Sequence, residues 1–322
     1  MGLWQIDADV LATSRFAVSG LVEALACLSL LEYDSPPPGQ EPWFREHRAA
    51  YQRMMAADSL RRPLVRTALR PRSIADFVCR PPVPQDRGFA DELARLRQTP
   101  VAEALADLRA GGPIRSELDT PDLVERTADI LEWVWTHTVE PTWAKRRLLF
   151  EADIIARTQQ LSTGGWAAAL DGLRPGLRWL GGGRLQINVY DNPPRVLTDA
   201  QLSFIPSSAR RGWVCWLLPS RYAVVYPCAG RLAAPAPDAS PAALDRLLGP
   251  GRAAILCHLD APLSTTQLVA VTGAVLGSVG RHLKVLLDAQ LVRRRRAGRS
   301  VLYYRTEAGD QLVRLNRSPQ EG

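Results

Sequence analysis

No stretch of the 322-residue sequence has the unbroken run of about 18 apolar residues that a membrane-spanning helix needs. The opening residues, Met1-Gly2-Leu3-Trp4-Gln5-Ile6-Asp7, lack a basic segment followed by an apolar one. That argues against a secretory leader and makes the cytoplasm the expected location. Cysteine is sparse. Cys27, Cys79, Cys215, Cys228 and Cys257 are scattered without a close pair, an odd set that does not form a disulfide framework and suits reduced thiols. Lysine is nearly missing: Lys145 and Lys284 are the only two among 40 basic residues. The arginine bias, with abundant alanine and proline, marks GC-rich bacterial coding. The familiar enzyme motifs are also absent. There is no Gly-x-Gly-x-x-Gly before a helix, no P-loop, no Gly-x-Ser-x-Gly and no His-Glu-x-x-His. Gly181-Gly182-Gly183 precedes a predicted strand, where a phosphate cradle needs a helix. No catalytic residue and no cofactor is expected.

What is present points to two globular parts. The apolar share of 46% suits a chain that buries real cores, and the length accommodates more than one. The net charge of +7 is concentrated: residues 241–322 hold 12 Lys/Arg against 6 Asp/Glu, leaving 28 against 27 for the rest. A quarter of the chain with that excess suits a polyanionic partner. Residues 232–241, rich in Pro and Ala, read as a linker between an N-terminal region, 1–231, and a basic C-terminal one, 242–316.

The expected class is mainly α with small β elements, an α+β chain. The N-terminal region reads as helical to about 180, with helices near 18–33, 41–57 and 89–109. Thr120-Pro121-Asp122 is expected to open another, with Leu123, Thr127, Ile130 and Val134 on its inner face. Pro141 opens a further long helix that carries Leu148, Ala152 and Ile155 on one face. A small sheet is expected over about 183–229, where Leu185–Val189 alternates and 196–205, 213–218 and 222–226 are strand-like. Nine tryptophans are many for this length; Trp133, Trp135 and Trp143 fall near one helix junction and could line a small-molecule effector pocket, although core packing is the simpler account.

The C-terminal region is the most legible. Two short helices, 242–248 and 252–259, precede Leu263-Ser264-Thr265-Thr266-Gln267-Leu268. Ser264 and Gln267 form a capping box, flanked by Leu263 and Leu268, so a helix begins at Thr265 and ends near Gly273. A second helix follows with Val279, Leu283 and Leu286 inward and Ser278, Arg281, His282 and, nearer the edge, Lys284 outward. Two short helices across a glycine turn, the second with outward donors, suit a major groove. Two strands follow, Leu291–Arg296 and Ser300–Tyr304, around a tip at Gly298-Arg299. Arg293, Arg294, Arg295 and Arg296 cannot all be buried, and alternation sends about half to each face. Thr265 and Thr266 stand at a helix N-terminus that can receive phosphate, and Arg299 at the tip can reach a backbone phosphate or minor groove.

In its order of elements this segment resembles the ArsR-type winged helix-turn-helix regulators. The resemblance lies in Arg252-Ala-Ala-Ile-Leu, Ser264-Thr-Thr-Gln-Leu, Val279-Gly-Arg-His-Leu-Lys-Val-Leu and Leu291-Val with Gly298-Arg-Ser-Val-Leu-Tyr, over roughly 245–315. It implies a homodimeric transcriptional repressor that binds double-stranded DNA and releases it to an effector, with the dimer formed by helices about 242–248 and 307–315. There are departures: Val275 stands where a Ser or Thr cap is usual, and Gly277 and Gly280 lie inside the second helix. The family's metal-sensing positions are not matched, since Thr265–Thr272 has no Cys and Glu307–Leu315 no His; the expected effector is not a metal. The rival expectations are a winged helix that docks to protein and an enzyme with a regulatory winged helix.

Overall fold

The structure is a computed structural model that describes residues 2–36, 40–71, 73–190, 192–228, 242–259, 262–297 and 300–317. The chain is mixed α/β. It opens with β1 (Leu3–Ile6), α1 (Ala8–Thr13) and β2 (Arg15–Phe16), then runs through α2 (Gly20–Leu31), α3 (Glu41–Ala56) and α4 (Arg61–Ala68). A two-strand ribbon, β3 (Leu69–Arg70) and β4 (Ser73–Ile74), leads to α5 (Phe89–Arg97), α6 (Val101–Ala110), α7 (Leu123–Val134) and α8 (Trp143–Leu170). Six strands follow: β5 (Arg178–Gly181), β6 (Arg184–Gln186), β7 (Arg195–Leu197), β8 (Gln201–Ser207), β9 (Trp213–Leu217) and β10 (Arg221–Pro227). The C-terminal elements are α9 (Ala242–Leu248), α10 (Pro250–His258), β11 (Leu263–Ser264), α11 (Thr265–Thr272), α12 (Leu276–Asp288), β12 (Val292–Ala297), β13 (Ser300–Arg305) and α13 (Glu307–Arg317). The expected linker, 232–241, lies outside the described residues.

The N-terminal region departs from a helical body followed by a small sheet. Its strands form two four-stranded sheets, ordered β5-β6-β1-β7 and β2-β8-β10-β9. Each recruits a strand from the first sixteen residues: β1 pairs antiparallel with β6 and parallel with β7, and β2 pairs parallel with β8. One core lies between the sheets, built from residues such as Trp4, Leu185, Leu202, Phe204, Val224 and Tyr226. The alternate residues Ile205, Cys215, Ala223 and Val225 point the other way, into the core of the helical layer. β10 is therefore covered on both faces, which is why Tyr222-Ala-Val-Val-Tyr226 is apolar without alternation. Gly181, Gly182 and Gly183 all have positive φ and form the turn from β5 to β6; a Cβ on Gly183 would lie 2.3 Å from the Ile6 carbonyl oxygen.

Local corrections follow from backbone chemistry. The helix expected over 89–109 is two, because Pro100 has no N–H to continue the first. The Thr120-Pro121-Asp122 segment is a turn, with the Leu123 N–H on the Thr120 carbonyl, and α7 starts two residues later than expected. Leu123, Thr127, Ile130 and Val134 are all buried. From α7 the chain passes through a π-turn, Trp135–Val139, and a 3-10 turn, Glu140–Thr142, into α8. Pro141 sits in that 3-10 turn and α8 begins at Trp143. Its inner face is Arg146, Leu149, Phe150 and Ala152, while Leu148 and Ile155 are exposed. Arg146, a residue no apolar count selects, sets that face.

Candidate nucleic-acid interface

The C-terminal elements share a core of residues that includes Leu244, Ile255, Leu263, Leu268, Val279 and Leu286, joined by Leu149 of α8. α11 begins as its capping box requires. The Gln267 N–H donates to Ser264 Oγ at 3.2 Å, and the Ser264 N–H donates to Gln267 Oε1 at 2.9 Å. Leu263 and Leu268 are buried on either side, and Gly273 ends the helix at φ +66°. Gln267 also donates from Nε2 to Cys228 Sγ at 3.9 Å, and that thiol lies 3.9 Å from the Leu149 carbonyl it donates to. Burial pushes the Cys228 thiol well above its ordinary range, so it stays protonated. Ser264→Ala is expected to cost about 1 kcal/mol, a typical cap loss, measured by urea unfolding; a change near zero would mean that burial of Leu263 and Leu268 alone starts the helix.

α12 packs Val279, Leu283 and Leu286 inward. Thr265 and Thr266 are half-buried at the start of α11, and Arg281 and Lys284 are exposed on α12. Ser278 and His282 are less open than these two. They bond to each other, Ser278 Oγ to His282 Nε2 at 3.2 Å, and both are half-buried. The imidazole lies against the start of α10, where a Cβ on Gly251 would be 2.6 Å from Nε2. Of the four donors expected to face outward, Arg281 and Lys284 are exposed, and Ser278 and His282 are half-buried and bonded to each other. The periodicity could not separate His282 from Arg281, since the distinction depends on α10. Val275 takes the N-cap position with no side-chain cap. Two exposed residues that periodicity does not select are Val275 and Leu276, with 73% and 61% of their surfaces accessible.

β12 and β13 form an antiparallel ribbon, with β11 on the far side of β13, in the order β11-β13-β12. Arg293 faces Tyr304, Arg294 faces Tyr303, Arg295 faces Leu302 and Arg296 faces Val301. All four arginines are exposed, so both faces of the ribbon offer cations to solvent. The Arg293 guanidinium lies over the Tyr304 ring, 5.4 Å from its centroid. Arg299 lies outside the described residues. Arg305 fastens the base of the ribbon: Nε donates to Asp310 on α13 at 2.7 Å and Nη1 to the Leu256 carbonyl on α10 at 3.3 Å.

The three tryptophans divide between two aromatic stacks. Trp133 stacks on His137 at 4.3 Å and tilts toward Tyr51. Trp135 stacks on Phe89 at 4.4 Å and meets Trp143 edge-on at 5.1 Å. A small apolar gap of about 10 Å³ is lined by Leu25, Leu28, Leu64, Val78, Ile130 and Leu131, and by none of these tryptophans. Among the described residues no group of three or more His, Cys, Asp or Glu is placed to hold a metal ion, and no helix is long and apolar enough to cross a membrane. Comparison with protein-family models, with curated proteins and with solved structures finds no match to this chain.

Proposed function

We propose that residues 242–316 form a winged helix-turn-helix that binds duplex DNA, and that the chain is a dimeric transcriptional repressor whose region 1–231 regulates it or holds the dimer. One observation carries the reading. Helix, short strand, two helices and a ribbon follow in order, and the ribbon pairs back to the short strand, so an exposed Arg281–Lys284 face and an exposed four-arginine ribbon belong to one compact unit. α12 then enters the major groove and the ribbon lies along phosphates. Leu247 on α9 and Leu315 on α13, with 65% and 78% of their surfaces accessible, supply apolar area for a second copy. The effector is a small molecule or another non-metal ligand.

The test is a salt titration of duplex binding by the full chain. Arginine–phosphate contacts release counterions, so affinity should fall steeply between about 50 and 200 mM salt. Arg294→Ala and Arg295→Ala should each lower the slope of log affinity on log salt by about one and weaken binding to all sequences alike. Binding with no salt dependence, or none at low salt, would assign the unit to protein docking instead.

A further inference from the structure

The sequence of α12 contains two glycines that nothing among the described residues requires. Gly277 and Gly280 have no positive φ, and a Cβ built on either meets no atom of the described residues within 4 Å. Each weakens the helix relative to alanine. Gly251, by contrast, lies against the His282 ring, which would have to shift to admit a Cβ. Helical spacing puts Gly280 one turn beyond Leu276, and Arg281 and Lys284 one and two turns beyond Gly277. The outward face of α12 is therefore apolar at its start and bare at Gly277 and Gly280, then carries Arg281 and Lys284 before it ends on the exposed Val285 and Asp288.

We infer that this bare strip reads base edges in the major groove: the absent side chains at Gly277 and Gly280 let the helix backbone approach the bases, and Leu276 rests against the 5-methyl group of a thymine. The inference rests on the reading of α12 as a DNA-binding helix. Charge selects the occupant. Arg281 and Lys284 lie on the same helix as the strip and the exposed Arg293–Arg296 ribbon belongs to the same unit, so a second copy would bring like charges together, while a duplex brings phosphates. Chemistry selects the base. The thymine methyl is the apolar group that base pairs present in the major groove, and an exposed leucine beside a bare backbone is complementary to it.

The experiment selects duplexes from a randomised library on the full chain, then compares the best with the same duplex carrying uracil for thymine. Uracil lacks only the methyl. Binding should weaken roughly fourfold for each thymine methyl that packs on the protein. Leu276→Ala should erase the difference between the two duplexes. Gly280→Ala should raise the melting temperature by about 2–4 °C and yet weaken binding to the selected duplex at least about tenfold. Equal affinity for thymine and uracil duplexes, together with undiminished binding by Gly280→Ala, overturns the inference and leaves the DNA-binding reading standing. No binding to any duplex at low salt overturns both.

Discussion

Arg146→Met is expected to destabilise the protein by about 3–5 kcal/mol, the typical loss when one member of a buried ion pair is removed. Arg146 and Glu23 are both almost wholly inaccessible, with Nη1 donating to Glu23 Oε1 at 2.6 Å. The same guanidinium donates to Cys27 Sγ at 3.1 Å, to the Thr138 carbonyl at 2.7 Å and, through Nε, to Thr142 Oγ1 at 2.8 Å. Glu23 in turn accepts the Ser208 N–H at 2.9 Å, so one charge pair joins α2, the π-turn, α8 and the end of β8. Burial pushes the Cys27 thiol up to about 12, and it serves this group as a protonated neighbour. Methionine fills the volume of the arginine stem but leaves the buried Glu23 carboxyl with a single backbone donor. Urea unfolding measures the loss. The double variant Glu23→Met with Arg146→Met should recover most of it, because no unpaired charge then stays buried. A single variant within about 1 kcal/mol of the parent would mean that water reaches Glu23 once the arginine has gone.

The difference between what the sequence discloses and what it conceals is one of range. The α11 capping box needs only Ser264 and Gln267, three residues apart, and the two leucines beside them. The arginine ribbon needs a turn and a run of like residues, and its pairing partners lie within fourteen positions. β1 and β2 leave no such trace. Their partners are about 180 residues away, and Leu3–Ile6 is too short to stand out before its neighbours are known. The face of α8 differs from expectation for a related reason: the residue that orients it is an arginine whose partner, Glu23, is 123 positions distant. In the candidate interface, Arg281 and Lys284 are readable from periodicity, and so are the inward Val279, Leu283 and Leu286. That His282 turns to α10, and that Leu276 stays open to solvent, depends on how helices pack, which a pattern of residue types does not contain.

The second large effect concerns pH. Glu92 is buried at the start of α2, where one carboxylate oxygen accepts both the Ser19 hydroxyl at 2.6 Å and the Leu21 N–H at 2.8 Å. Ser19 Oγ accepts the Val22 N–H at 3.1 Å, so α2 is capped jointly from its own chain and from α5. Desolvation outweighs those two hydrogen bonds and raises Glu92 from 4.5 to about 7. A carboxyl whose folded pKa is raised stabilises the fold fully below the unfolded value and loses that contribution as pH rises through the folded one. Between pH 4.5 and 8 the loss from Glu92 alone should approach about 3 kcal/mol, from 1.36 kcal/mol for each pKa unit. Asp76, raised to about 6 by burial and then by Asp107, adds in the same direction, as does Asp153, raised by burial. The protein should therefore be more stable near pH 5 than near pH 8. Glu92→Gln keeps an oxygen for both donors and removes the charge, so it should match the parent at pH 5, exceed it at pH 8 and show a shallower fall in melting temperature between them. Parallel stability profiles for the two proteins across that window would mean that Glu92 is hydrated in solution and that the start of α2 opens to admit water.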